Sequence, residues 1–446
     1  MSFDLPTLPD GWEYLPLENC ARSNSISYGV VQPGTPVADG VPIIRVNNFC
    51  DTRIDLSEIM KIAPEIEAKY GRTRLVGGEV LMTLVGSVGQ VAVVPKSLEG
   101  FNVARAVGVI HPLPHVAPEW IALCLRSPLS QYLLISRANT TVQTTINLKD
   151  VRALPIPIPP EAERRNITAM VSVLDDRIAL LRETNATLEA IAQALFKSWF
   201  VDFDPVHAKQ QGIAPEGLDE ATAALFPDSF EESELGLVPR GWGVSTVGDS
   251  STYLNRGISP KYVEAGGVIV VNQKCIRDFI VDLTKARRHD PKQRKIDGRE
   301  LSVGDVLVNS TGVGTLGRVA QILNLEEACI VDSHVTVVRA DREPGWNYMG
   351  LALMRKQPEI ESFGEGTTGQ TELGRSKLAG IKLIIPPKSI LREFDDMSIP
   401  LRRRFAANLS QAKILSTLRD TLLPRLISGQ LRVPEAEAML KEEAAA

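Results

Sequence analysis

Leu8-Pro9-Asp10-Gly11-Trp12 returns 230 residues later as Val238-Pro239-Arg240-Gly241-Trp242. Working outward from that pair, other stretches return in the same order. Val46-Asn47-Asn48 answers to Val271-Asn272-Gln273, and Gly78-Glu79-Val80-Leu81 to Gly304-Asp305-Val306-Leu307. Thr140-Thr141-Val142-Gln143-Thr144 answers to Thr367-Thr368-Gly369-Gln370-Thr371, and Pro159-Pro160 to Pro386-Pro387. The offsets drift only between 225 and 230 residues. A period so long is a duplicated domain with a duplicated connector, not a solenoid repeat of roughly 20–50 residues. Two similar units imply two similar jobs related by approximate two-fold symmetry.

Each copy reads as mixed α and β. Val41-Pro42-Ile43-Ile44-Arg45-Val46, Val80 to Leu84 and Val91 to Val94 are short β-branched runs bounded by Gly, Pro or Asn. Glu119 to Leu125 and Pro128 to Ser136 look helical. The copy closes on Leu154-Pro155-Ile156-Pro157-Ile158-Pro159-Pro160, whose prolines suit an edge strand. A long helix is then expected from about Ala162 to Phe200. Leu174, Leu181, Leu188 and Leu195 recur every seven residues, with Ile178, Asn185 and Ala192 between them, which is a heptad seam. Such a helix is roughly 55 Å long at 1.5 Å per residue, too long to hide in one small domain. The second copy repeats the pattern with Leu401, Phe405, Asn408, Ala412, Leu415, Arg419 and Leu422, and Pro424 should end or kink it. The expected fold class is therefore α+β. Two similar mixed α/β domains are separated by two long antiparallel helices forming a coiled coil, with pseudo-two-fold symmetry. The expected boundaries are 1–160, a first spacer helix 161–203, a linker 204–240, a second domain 241–387, a second spacer helix 388–433 and a frayed tail 434–446. A two-fold relation puts Asn185 opposite Asn408, a buried polar pair that fixes register. Ile191, Phe196, Trp199, Phe200 and Phe203 lie partly off the seam and leave apolar surface for the domains or another subunit.

At 446 residues, 44% hydrophobic and 23% charged, the chain has the composition of globular domains. No stretch approaches the ~18 apolar residues of a membrane span, and the start lacks the features of a signal peptide, so a cytoplasmic location is expected. Cys20, Cys50, Cys124, Cys275 and Cys329 are scattered, which suits reduced thiols and no zinc or other metal site. The net charge of −5 does not advertise nucleic-acid binding, but an average can hide a basic face.

Gly312-Val313-Gly314-Thr315-Leu316-Gly317 matches G-x-G-x-x-G after a strand-like run. A dinucleotide or S-adenosylmethionine site needs a helix at that turn. The next residues, Arg318 to Leu323, read as another strand, and the matching Gly86-Ser87-Val88-Gly89 lacks the pattern. The stretch is read as a Gly-rich hairpin. No P-loop, nucleophile elbow or H-E-x-x-H is present. His111 and His115 are split by prolines and read as loop histidines. Asp175-Asp176 and Asp395-Asp396 read as solvated helix faces. Lys285 to Lys295 carries six Lys or Arg in eleven positions, among them Arg287, Arg288, Lys292, Arg294 and Lys295. The parallel region of the first copy has Lys61, Lys69, Arg72 and Arg74. Recurring basic clusters suit phosphate binding; the alternative is a solvated loop. Thr141, Gln143, Thr144, Thr368, Gln370 and Thr371 fit either phosphate contacts or turn chemistry.

With this order of elements the chain resembles the specificity subunits of type I restriction-modification enzymes. The resemblance rests on the two Pro-x-Gly-Trp openings, the Gln143 and Gln370 segments, the Pro-Pro exits, the paired long helices and Phe226 to Gly236. It implies a non-catalytic subunit in which each domain reads half of a split double-stranded DNA site while the helices hold the domains apart. It also implies two methyltransferase subunits carrying S-adenosylmethionine, and restriction or translocase subunits using ATP and Mg. No cofactor is expected in this chain, and no membrane partner. The alternatives are a coiled-coil adaptor that binds no DNA and a self-contained methyltransferase.

Overall fold

The computed structural model describes residues 5–139, 143–364 and 372–445. It divides into two compact units, one made of Met1–Ala179 with Ala412–Ala446 and the other of Leu180–Gln411. Each is built on the same plan. In the first, strands Ser27–Tyr28, Val107–Ile110, Val80–Thr83 and Val91–Val93 form a sheet in that spatial order. In the second, Ser251–Arg256, Val335–Ala340, Val306–Asn309 and Val319–Gln321 repeat it. Beside this sheet, Val41–Ile44 pairs antiparallel with Met60–Ile62 and parallel with Asn102–Val103. Val268–Val271 likewise pairs antiparallel with Arg287–His289 and parallel with Cys329–Val331. The proline-rich exit Pro155–Ile158 pairs with Glu13–Pro16, and Lys382–Ile385 pairs with Gly243–Thr246. Each exit strand has that single partner, which in the first copy suits Pro155 and Pro157, since they lack a backbone donor.

The cores arise from the alternation of the strands and one apolar face of a helix. In the first unit Val80, Met82 and Ile110 pack on Trp120, Ile121 and Leu125 from helix Pro118–Arg126. In the second, Val306, Val308 and Val338 pack on Met349 and Leu353 from helix Trp346–Arg355.

Two helices of 40 residues each, Glu161–Phe200 and Lys388–Ile427, come after the exit strands. Each contributes one part to each unit. In the second unit Asn185 meets Asn408, and Phe200 meets Phe394, so the helices run antiparallel there. The first unit has the same sense, with Glu163 meeting Arg432 and Asp175 meeting Arg419. Pro400 and Pro424 lie inside the second helix, and the helix runs past both. Each removes one intrahelical hydrogen bond.

The opening tryptophans explain why that motif recurs. Trp12 is buried with Leu426 and Leu431, and its Nε1 donates to Glu163 at 2.9 Å. Trp242 is buried among Phe200, Phe203 and Phe226. Each therefore seats its domain on the end of the other copy's long helix. The stretch 204–240, expected as a linker, is ordered by this cluster. It holds helices Asp204–Gln210 and Glu220–Leu225 and a hairpin of Phe230–Ser233 with Gly236–Pro239. The expected frayed tail is a helix, Val433–Ala445. No described helix is long and apolar enough to cross a membrane.

The repeat has a tighter register than sequence similarity suggested. Val41–Ile44 corresponds to Val268–Val271, Met60–Ile62 to Arg287–His289, Pro155–Ile158 to Lys382–Ile385, and helix to helix, all at an offset of 227. Arg45 thus corresponds to Asn272, since each begins the short turn after its strand. The apparent match of Val46-Asn47-Asn48 with Val271-Asn272-Gln273 is two residues out of register.

Candidate nucleic-acid interface

The recurring basic cluster sits on equivalent strands. Lys61 lies on Met60–Ile62 and Arg288 at the corresponding place on Arg287–His289. Beyond these strands the copies diverge. The first makes a helical turn, Pro64–Glu67 and Ala68–Thr73, ending at Arg74. Arg74 is not a free cation. Its Nε and Nη2 donate to both oxygens of buried Glu67, at 2.9 and 2.5 Å. Asn102 Nδ2 donates to the same carboxylate at 2.9 Å. Arg74 holds the Glu67 carboxyl below its ordinary range despite burial. Arg72 is exposed.

In the second unit the basic run forms a fixed turn. Lys261 N donates to Nδ1 of buried His289 at 2.9 Å, and His289 Nε2 donates to the Arg294 carbonyl at 2.8 Å. Asp290 accepts from Lys292 N and from Gln293 Nε2. Arg287 stacks on Tyr262, 3.3 Å from the ring centroid. Arg288 pairs with Glu327 at 3.1 Å, and Arg294 donates to the Ser259 carbonyl at 3.0 Å. Lys292 and Lys295 are exposed. The stacked and paired arginines shape the turn, and the two lysines leave their charge to solvent or to a phosphate.

Of the Thr-rich segments, Thr141, Thr368, Gln370 and Thr371 lie outside the described residues. Gln143 is exposed and Thr144 half-buried. The Thr144 carbonyl accepts from Gly86 N at 2.8 Å, and Val85 bridges Thr145. Thr144 and Thr145 therefore lie against the Gly-rich hairpin of their own copy. In the second copy Thr311 bridges Glu372 in the same way. Gly312 to Gly317 joins antiparallel strands Val306–Asn309 and Val319–Gln321, so no helix opens there to receive a dinucleotide.

Along the helices, Ile178, Leu174, Leu181, Asn185, Phe405, Asn408 and Leu422 are buried. Leu188, Leu195, Leu401 and Leu415 are half-buried. Asn408 Nδ2 donates to Asn185 Oδ1 at 2.9 Å, and Asn185 Nδ2 donates to the Phe405 carbonyl at 3.1 Å.

Three further residues anchor helices to domains, and nothing in the sequence marks them out. Arg402 is 2% exposed and its Nη2 donates to Gln321 Oε1 at 2.5 Å. Burial lowers its pKa to about 10. Asp175, expected on a solvated face, accepts from Arg126 at 3.1 Å and Arg419 at 2.8 Å. Asp395, expected likewise, accepts from Asn347 at 2.8 Å, and burial raises its pKa. Only their neighbours Asp176 and Asp396 are exposed. His111 lies in a loop, 3.7 Å from Glu79. Among the described residues no group of His, Cys, Asp and Glu is arranged to hold a metal ion.

Comparison with known proteins agrees with this architecture. Residues 35–190 match the type I restriction modification DNA specificity domain. The EcoBI specificity subunit of Escherichia coli is 32% identical over 198 residues, which spans 42% of this chain and 42% of that relative. The HindI specificity subunit of Haemophilus influenzae is 25% identical over 77% of this chain and 84% of its own length. A type I restriction-modification S subunit from M. genitalium has the same fold, with a TM-score of 0.56, 14% identity, and coverage of 94% of this chain and 98% of that one. A duplicated mixed α/β domain, paired 40-residue helices and these likenesses point the same way: the chain is similar to the specificity subunits of type I restriction-modification enzymes.

Proposed function

We propose that this chain is the DNA-recognition subunit of its system and reads a bipartite target. Residues 1–160 would read one half-site and 241–387 the other, with the helices spanning 161–203 and 388–433 as spacers. The carrying observation is the duplication itself: the same principal strands, exits and helices recur in the same order, several of them at an offset of 227. Phosphate contacts are assigned to Arg72, Lys292 and Lys295, with Gln143 and Thr144 beside the first copy's hairpin. Arg287, Arg288 and Arg294 support the turn that carries the lysines. Thr141, Thr368, Gln370 and Thr371 are proposed as further phosphate contacts.

We read the chain as a non-catalytic subunit, like the specificity subunits it resembles. Methyl transfer and cleavage fall to partner methyltransferase and restriction subunits, which would bring S-adenosylmethionine, ATP and Mg. A domain exchange tests the reading. Residues 12–155 are replaced by those of another specificity subunit, and methylated sites are mapped in cells carrying the complex. One half-site should change and the other stay. A change in both half-sites, or in neither, overturns the assignment of one domain to one half-site.

A further inference from the structure

In the second unit several segments meet at one place. Asn309 Nδ2 donates to the Gln273 carbonyl at 3.1 Å. The Thr311 hydroxyl lies 3.5 Å from Gln273 Oε1 and 2.8 Å from His334 Nδ1. Ser310 N donates to the His334 carbonyl, and Leu373 N to the Ser310 carbonyl, both at 2.8 Å. Arg256 donates to the Leu373 carbonyl at 2.8 Å and pairs with Glu372. His334 is exposed, and Gln273 and Thr311 are half-buried.

The first unit has the same backbone here. Leu84 N donates to the Ala106 carbonyl at 2.7 Å, and Ile146 N to the Leu84 carbonyl at 3.0 Å. Val85 bridges Thr145 as Thr311 bridges Glu372. Tyr28 lies opposite Gly108 as Arg256 lies opposite Thr336. Tyr28, Val46, Val85, Ala106 and Thr145 therefore stand where Arg256, Gln273, Thr311, His334 and Glu372 stand in the second unit. Beneath this ring the core is unchanged: Val80 answers to Val306, Leu81 to Leu307, Val107 to Val335 and Val109 to Val337, all buried. The strands kept their identity while the partly exposed ring above them changed from largely apolar to hydrogen-bonding. Packing gives no reason for that change, since the backbone is the same. Cations flank each ring, Arg45 and exposed Arg105 in the first and exposed Lys274 in the second, as a surface on DNA requires.

We infer that this ring is the base-reading surface of each unit and that the two units read by different chemistry. The inference rests on the DNA-recognition function proposed above. In the second unit Gln273 and His334 bond to base edges. The carboxamide of Gln273 suits the adenine acceptor–donor pair in the major groove. Thr311 is a positioning residue that holds both side chains, and Asn309 fixes the backbone behind Gln273. In the first unit Val46 and Val85 offer apolar contact, which suits thymine methyl groups.

The full chain, assembled with its methyltransferase subunits, is used to select from random duplex DNA. Gln273→Ala and His334→Ala should each lower discrimination about 10- to 100-fold at one or two positions of one half-site. The other half-site, unchanged, reports that the variant is folded. Gln273→Lys should move the preference toward guanine. Val46→Gln should alter only the opposite half-site. If the unaltered complex selects a bipartite site and the variants keep every preference, the ring is not the reading surface, although the chain still reads DNA. Equal loss in both half-sites also overturns the inference. If the unaltered complex selects no sequence, the recognition function fails and the inference falls with it.

Discussion

Asn185→Ala is the most direct probe of the helix pairing. The substitution removes the acceptor of Asn408 Nδ2 and the donor to the Phe405 carbonyl. Asn408 is 1% exposed, so water does not replace the missing partner. A buried amide left unpaired costs about 1–3 kcal/mol, and the second broken bond, to Phe405, about 1 kcal/mol more, so the single change should cost roughly 2–4 kcal/mol. Asn408→Ala leaves the bond from Asn185 to Phe405 in place and should cost about 1–3 kcal/mol. Replacing both with leucine leaves no unpaired amide and should recover much of the loss, at the expense of register. The cycle should show a coupling of about 1–3 kcal/mol. Unfolding of a chain with two units need not be two-state, so the assay is native-state hydrogen exchange of amides near 181–189 and 404–412, which reports local opening. A loss below about 0.5 kcal/mol in Asn185→Ala, or strict additivity in the cycle, would refute the reasoning.

The same geometry sets three other outcomes. Glu67 has its pKa lowered chiefly by hydrogen bonding to Arg74. Its contribution to stability is therefore full above the ordinary carboxyl range and disappears as pH falls through the depressed value. Glu67→Gln should flatten the acid limb of the first unit's stability profile, measured by thermal melts from pH 3 to 7; an unchanged limb would dissociate the pair from stability. Lys292→Glu with Lys295→Glu should weaken DNA binding by the assembled complex at every sequence. It should also lower the salt slope by about 0.9 for each phosphate no longer neutralised, measured by titration at several salt concentrations. Gly317 has φ 84°, and a Cβ there would lie 2.7 Å from the Glu361 Cα. Gly317→Ala should lower the melting temperature of the second unit by an amount equivalent to about 1–3 kcal/mol, because strain and the close backbone approach both oppose it.

Where the sequence carries a periodic or symmetric signal, it specifies the architecture. The leucine heptads mark both long helices, and the duplicated order marks two similar domains. The strand-like run after Gly317 identifies a hairpin on its own. Where the signal is three-dimensional the sequence is silent. The stretch 204–240 reads as a linker because Pro, Gly and acids dominate it. Yet Phe226 and Phe230 are enough to tie it into the aromatic cluster around Trp242 and Phe203. Arg402 is one of three consecutive arginines, and only the fold distinguishes the buried one. Arg74 counts as a free charge until the turn from Pro64 brings Glu67 beneath it. The Val-Asn likeness that set the copies two residues out of register is a chance match, since hydrogen-bonded turns define equivalence and residue names do not.

The division of the long helices also dictates a timetable. The second unit is one continuous stretch, Leu180–Gln411, whereas the first is completed only by Ala412–Ala446. On the ribosome the downstream unit is fully made before the upstream one can close. At about 5–20 residues per second, that leaves the first unit open for roughly ten seconds to a minute. During that interval Trp12, Ile167 and Val171 lack Leu422, Leu426 and Leu431, which complete their core. Synthesis halted before Ala412 would thus spoil the domain that was made first, and leave nearly whole the one that was made last.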